Sequence, residues 1–163
     1  MASSYEIRIR KEAHKFASSH MTVFPDGTKE ALHGHQYQPT VKIKVQEVEL
    51  KKMIPFSEVK AGMKKIAALW DEKVLLATLN PHFKLKKRSK KEVELTLCKK
   101  RYVLPAEEVV FLKVDNVTCE NLARAYFEFL EMELDLLKNK NILAVSVDIE
   151  ESPGQGAAYV HEK

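Results

Sequence analysis

The chain has 163 residues, of which 45% are hydrophobic and 5 are glycine, and its 27 basic and 23 acidic side chains leave a formal charge of +4. That length supports one compact domain over 1–163 rather than two. So small and well mixed a charge excludes the composition of a nucleic-acid binder, and no run approaches the ~20 apolar residues that span a bilayer.

Cys98 and Cys119 lie far apart without a CxxC spacing, so neither a disulfide framework nor a thiolate metal site is indicated. The opening residues Met1–Phe16 carry a charge every second or third position and no apolar run of signal-peptide length. A cytoplasmic protein in a reducing compartment is expected.

From Tyr5 onward Ile7 and Ile9 alternate with Glu6, Arg8 and Arg10, the pattern of a half-buried strand, and Phe16, Ser18 and His20 continue the period of two. Pro25-Asp26-Gly27 then signals a turn. His33, His35, Tyr37, Val41, Ile43 and Val45 share one parity of a long second strand, so the opening unit reads as a long hairpin. Between Ser57 and Trp70 apolar residues recur at three and four, preceded by Pro55, which predicts an amphipathic helix.

After Asn80-Pro81, alternation at Val93, Leu95 and Leu97 and the runs Tyr102–Leu104 and Val109–Leu112 predict short strands, with the basic run Lys86–Lys91 at a hairpin tip. That run reads as a solvated hairpin end rather than a phosphate-steering or nucleic-acid surface, because beyond Phe83 no aromatic residue interleaves the charges. Thr118 caps a second helix with an apolar stripe from Leu122 to Leu137. Ile142–Ile149 forms a closing strand that delivers a carboxylate at its end, beyond which the tail holding His161 is expected to fray. The order of elements is α+β.

His33 and His35 flank Gly34 on one strand, so both imidazoles face the same way about 6.6 Å apart along the backbone. Zinc accepts neutral imidazole nitrogens, and three protein ligands with one open position is the catalytic arrangement. His20 has the parity to be the third ligand if the two strands pair. Spacing alone does not separate this reading from a chance pair of surface histidines, and His14, His82 and His161 receive no role.

The segments Phe16–His20 and Leu32–Tyr37 resemble the zinc-site signature of the 6-pyruvoyl-tetrahydropterin and 6-carboxytetrahydropterin synthases. Ile54–Lys60, Asn116–Ala123 and the closing Val147, Glu151, Ala158 and Tyr159 follow in the family order, and 80–114 resembles a hairpin insertion found in some members. The resemblance implies the tunnelling fold, an antiparallel sheet with two helices packed on one face. It further implies a zinc ion, a homohexamer built as a dimer of trimers with sites between subunits, and 7,8-dihydroneopterin triphosphate as substrate of a carbon-oxygen lyase. By the same resemblance Glu151 anchors the pterin ring, whose amino and ring N–H groups suit a bidentate carboxylate, and Thr118, Cys119 and Glu120 line the pocket from the neighbouring chain.

Pro55 stands in place of a usual aspartate at the turn into the helix, and two residues of the family's working site are replaced as well. The usual cysteine four positions before the first histidine of the pair is Lys29, and an aspartate-histidine dyad reads Asp71-Glu72. Proton transfer between carbons still needs a base. Glu30, with Asp71 and Glu72, is the expected replacement; Lys29 could serve only if deprotonated. The alternatives are a zinc- and pterin-binding homologue with altered or lost catalysis, and a ring that binds acidic partners through the basic tip.

Overall fold

The computed structural model describes residues 3–163. Its opening segment is two strands rather than one: β1 (Tyr5–Ile9) and β2 (Phe16–His20) are separated by a 3-10 turn at Glu12–His14. Both pair antiparallel with the long strand β3 (His33–Val45), β1 along Val41–Val45 and β2 along His33–Tyr37. Alternation lapses between the two strands, where Lys11, Glu12 and Ala13 are all exposed and His14 turns inward.

Helix α1 (Phe56–Trp70) buries Val59, Met63, Ile66 and Trp70 along one stripe. It ends at Asp71, and Glu72 takes a left-handed φ of 56°, which turns the chain directly into β4 (Lys73–Ala77). No alternation announces β4 in the sequence, for a physical reason. It runs parallel to both its neighbours and is covered on both faces, so Val74, Leu75 and Leu76 are all buried.

β5 (Phe83–Arg88), β6 (Glu92–Leu97) and β7 (Lys100–Pro105) form a separate three-stranded antiparallel sheet, with the basic run exposed at the β5–β6 end. The β6–β7 turn places Cys98 and Lys99 at positive φ, 48° and 65°, as a two-residue hairpin turn demands. β8 (Val109–Leu112) returns to the main sheet beside β4.

Helix α2 (Cys119–Leu134) is capped by Thr118, whose hydroxyl accepts the Asn121 N–H at 3.5 Å. β9 (Ile142–Ser152) and β10 (Gln155–Glu162) close the fold. The expected frayed tail is thereby overturned: His161 lies in β10, paired with β9, and stacks on Phe127 of α2 with ring centroids 5.1 Å apart. Alternate residues of β10, Ala157, Tyr159 and His161, are half-buried because α2 covers that face.

The main sheet has the order β10-β9-β3-β2-β4-β8, with β1 also on β3. Both helices pack on one face of it, α2 over β9 and β10 and α1 over β2. Between the layers Trp70 meets Phe16, Tyr126 and Phe129 edge-on at 5.4, 5.8 and 5.9 Å, and Phe16 stacks on Tyr37 at 5.2 Å. Leu75 of β4 joins this core, whereas Val74 and Leu76 point into a second cluster with Met21, Val23, Val93, Leu95 and Leu97. The three-stranded sheet is therefore seated on the sheet face opposite the helices. Among the described residues no helix is long and apolar enough to cross a membrane.

Candidate metal and substrate site

Because β2 and β3 pair with His20 opposite His33 and Ser18 opposite His35, all three imidazoles emerge on one face. One ring nitrogen from each lies within 4.8 Å of the others, and the ring centroids are 4.6 to 5.2 Å apart. His20 is buried, while His33 and His35 are half-buried and leave the cluster open on one side.

The tautomers follow from the hydrogen bonds. His20 Nδ1 lies 2.8 Å from the Val117 carbonyl and His33 Nδ1 lies 2.8 Å from the Ala31 carbonyl. A carbonyl only accepts, so each Nδ1 carries the proton and each Nε2 keeps its lone pair. His20 Nε2 is buried with no hydrogen-bond partner in the protein. Burial also pushes the His20 ring below its ordinary basicity, which favours the neutral form a metal requires. A backbone carbonyl holding Nδ1 while a bare Nε2 faces two other imidazoles is the second-shell arrangement of histidine-bound zinc. The donor set fits that ion.

Glu151, near the end of β9, lies beside the trio, its Oε2 3.8 Å from His35 Nε2. Its Oε1 accepts from Gln155 Nε2 at 2.7 Å and its Oε2 accepts from Cys119 Sγ at 3.5 Å. The Cys119–Glu151 contact is made within one chain and needs no neighbouring subunit. Burial, and then the Glu151 charge, push the Cys119 thiol up to about 12, so at neutral pH it is a hydrogen-bond donor and not a thiolate. Tyr37 lies beneath, 5.7 Å from His35 between centroids, its buried hydroxyl without a partner and its phenol pushed further up by burial.

Glu30 approaches from the other side, with Oε2 3.9 Å from His33 Nε2. A hydrogen bond from the Thr22 side chain holds its carboxyl below the usual range; burial opposes this, and the adjacent His33 adds to the lowering. Glu30 is therefore an ionised acceptor of low basicity.

The remaining expected residues stand elsewhere. Thr118 is occupied at the α2 cap, and Glu120 is exposed in the first turn, hydrogen-bonded to the Thr118 side chain. Asp71 Oδ1 accepts the Ala17 N–H at 2.7 Å, and the Glu72 N–H donates to the Ala17 carbonyl at 2.6 Å, so this pair fastens the end of α1 to β2. Glu72 lines an open cleft of about 440 Å³ together with Ser18, Ser19, Gly34, His35 and Gln36.

Asn116, which opens the Asn116–Ala123 motif, has a role that the motif did not assign. Its side chain accepts the Val23 N–H at 3.0 Å and donates to the Val23 carbonyl at 2.8 Å, tying the loop after His20 to the start of α2. An asparagine just before a helix cap was the available signal, but it also suits an ordinary cap. The carbonyl of Val117 gave no signal at all, since any residue supplies one.

Fold and site together define an α+β protein with a three-histidine centre, flanked by two carboxylates, at the open end of a β-hairpin. The family profile of 6-pyruvoyl tetrahydropterin synthase matches residues 8–162, and the chain belongs to that family. A relative from Methanocaldococcus jannaschii, provisionally named 6-carboxy-5,6,7,8-tetrahydropterin synthase, is 31% identical over 146 residues, covering 89% of this chain and 88% of its own. The solved 6-pyruvoyl tetrahydropterin synthases of Plasmodium vivax and Plasmodium falciparum superpose with TM-scores of 0.89 and 0.88, at 21% and 23% identity and 99% coverage of both chains. A further Plasmodium vivax structure, at a TM-score of 0.88 and 20% identity, is described as the mutant of a catalytic glutamate. These likenesses establish the tunnelling fold for this chain.

Proposed function

We propose that residues 1–163 fold as one zinc- and pterin-binding unit that acts as a carbon-oxygen lyase on 7,8-dihydroneopterin triphosphate. The observation that carries this reading is the buried, unpartnered Nε2 of His20 facing His33 and His35. In this reading the three histidines hold zinc, and Glu151 takes the amino and ring N–H groups of the pterin with its two oxygens, beside the neutral Cys119 thiol. Thr118 and Glu120, at the partly exposed start of α2, line the pocket of the neighbouring subunit.

Zinc at this position would polarise a substrate side-chain oxygen and acidify the neighbouring proton. A carboxylate of low basicity then suffices as base, which suits Glu30, 3.9 Å from His33. The family relative whose catalytic residue is a glutamate supports that assignment. Lys29 is the weaker candidate, because its ammonium donates to the Glu30 carbonyl at 2.8 Å. Asp71 and Glu72 keep the dyad position of the family but are exposed at the end of α1, outside the three-histidine cluster, and the assembly is a cytoplasmic homohexamer, a dimer of trimers.

Metal analysis of the purified protein comes first: about one zinc per chain is expected, lost in His33→Ala. Less than one per several chains, unchanged by that substitution, would sink the zinc assignment. Incubation with 7,8-dihydroneopterin triphosphate should release triphosphate and form a new pterin, abolished by Glu30→Gln. Tight pterin binding without turnover would instead select a homologue that binds but does not catalyse.

A further inference from the structure

The Glu30 loop is a short turn outside the named strands, closed by local hydrogen bonds. Its backbone is held by the Glu30 N–H on the Thr22 carbonyl at 3.0 Å, by a bridge between Val23 and Lys29, by the Phe24 N–H on the Thr28 carbonyl at 2.8 Å, and by Asn116 on Val23. What lies behind it is the three-stranded sheet. Met21 and Val23, the residues that follow His20, are buried against Leu95, Leu97 and the partly buried Tyr102 of β6 and β7. Lys29, half-buried, places its ammonium 5.2 Å from the centroid of the Tyr102 ring and donates to the Glu30 main-chain carbonyl at 2.8 Å. An ammonium within about 6 Å of a tyrosine face is attracted by the ring quadrupole. A single side chain thus bridges the inserted sheet and the peptide that carries Glu30.

We propose that the three-stranded sheet is a positioning element for Glu30, with Tyr102 holding Lys29 and Lys29 holding the Glu30 main chain beside His33. The inference rests on the reading of Glu30 as the base, and it gives Lys29 a task distinct from that of the family's cysteine. Neither Tyr102 nor Lys29 touches the reacting atoms. Both act through the place they give to Glu30.

The test uses the full chain in three variants: Tyr102→Phe, which keeps the ring face; Tyr102→Ala, which removes it; and Lys29→Met, which keeps the stem and removes the charge. Hydrogen exchange at the Glu30 amide is read in each, together with zinc content and the kcat and KM for 7,8-dihydroneopterin triphosphate. Tyr102→Ala and Lys29→Met should each speed that exchange and lower kcat about tenfold, the scale of one such contact, with KM and zinc content unchanged. Tyr102→Phe should match the unsubstituted protein. Equal damage from Tyr102→Phe, or faster exchange without any fall in kcat, would overturn the proposal. Should the unsubstituted protein not turn over this pterin, the lyase reading fails by itself, and unchanged exchange in Lys29→Met, which leaves the Tyr102 packing intact, would refute the positioning separately.

Discussion

The helix-covered core and the smaller cluster beneath the three-stranded sheet each hold one half of the site, and they hold it differently. The histidines stand on β2 and β3, whose inner faces also carry Phe16 and Tyr37 into the aromatic packing around Trp70. Glu30 stands on a loop whose packing comes from Met21 and Val23 against valines and leucines of β4 and β6. The geometry of the three histidines is thus fixed by paired strands backed by large buried rings, whereas the candidate base stands on a loop held by a few aliphatic contacts, one lysine and short-range hydrogen bonds. A ligand set must hold its geometry closely to bind an ion at all, while a base need only come within hydrogen-bond reach of its proton.

The sharpest way to break this contrast is to cut each core in turn. Trp70→Ala, at a fully buried ring, should cost about 3–5 kcal/mol in urea unfolding and reduce zinc retention. Leu95→Ala should cost about 2 kcal/mol, the low end for its type because the small sheet can settle. Zinc should stay bound in that variant while exchange speeds up between Met21 and Glu30. Equal losses of stability and zinc in the two variants would show that the two cores act as one.

A smaller effect is expected at Gly156, where β10 shifts register against β9. A Cβ there would lie 2.2 Å from the Ile149 carbonyl oxygen and 2.8 Å from the Glu150 Cα. Backbone atoms cannot swing aside, so Gly156→Ala should cost about 1–3 kcal/mol and disturb Glu151 next along β9. Pterin binding by fluorescence titration should weaken with zinc content unchanged; an unaltered affinity would detach Glu151 from the pterin.

The smallest effect is a pH dependence from the joint between β1 and β2. Burial first, and then Lys60 and Lys11, push His14 below its ordinary 6.5. The unfolded chain therefore takes up this proton before the folded chain does as pH falls. Stability from this ring is complete above about pH 6.5 and is lost as pH drops from there towards the folded value. Thermal melts between pH 7.5 and 5.5 should show that loss, and His14→Gln should flatten it.

Much of the fold could be read from residue order because its signals are local. Period-two runs marked β3 and β9, apolar spacing of three and four marked α1 and α2, and Thr118 marked a cap. The gaps have local reasons too. β4 carries no alternation because it is buried on both faces, and β10 owes its order to α2 lying over it rather than to its own exposed residues. Around the candidate site, the meeting of three histidines was legible from parity, while Glu30 was singled out by its place beside Lys29 and Glu151 by its place in the motif order. Asp71, bound to Ala17, shows that a motif position can be taken up by a local structural duty.

By itself the sequence determined the α+β class, the hairpin that aligns His20 with His33 and His35, and the family, because these depend on side-chain period and motif order. Only the tertiary structure decided which histidine nitrogens are free, since that rests on the Val117 and Ala31 carbonyls. It also decided that Cys119 meets Glu151 and that Lys29 reaches Tyr102, 32 and 73 positions apart in the chain. Such contacts arise when separate elements pack, and no local pattern encodes the distance between them.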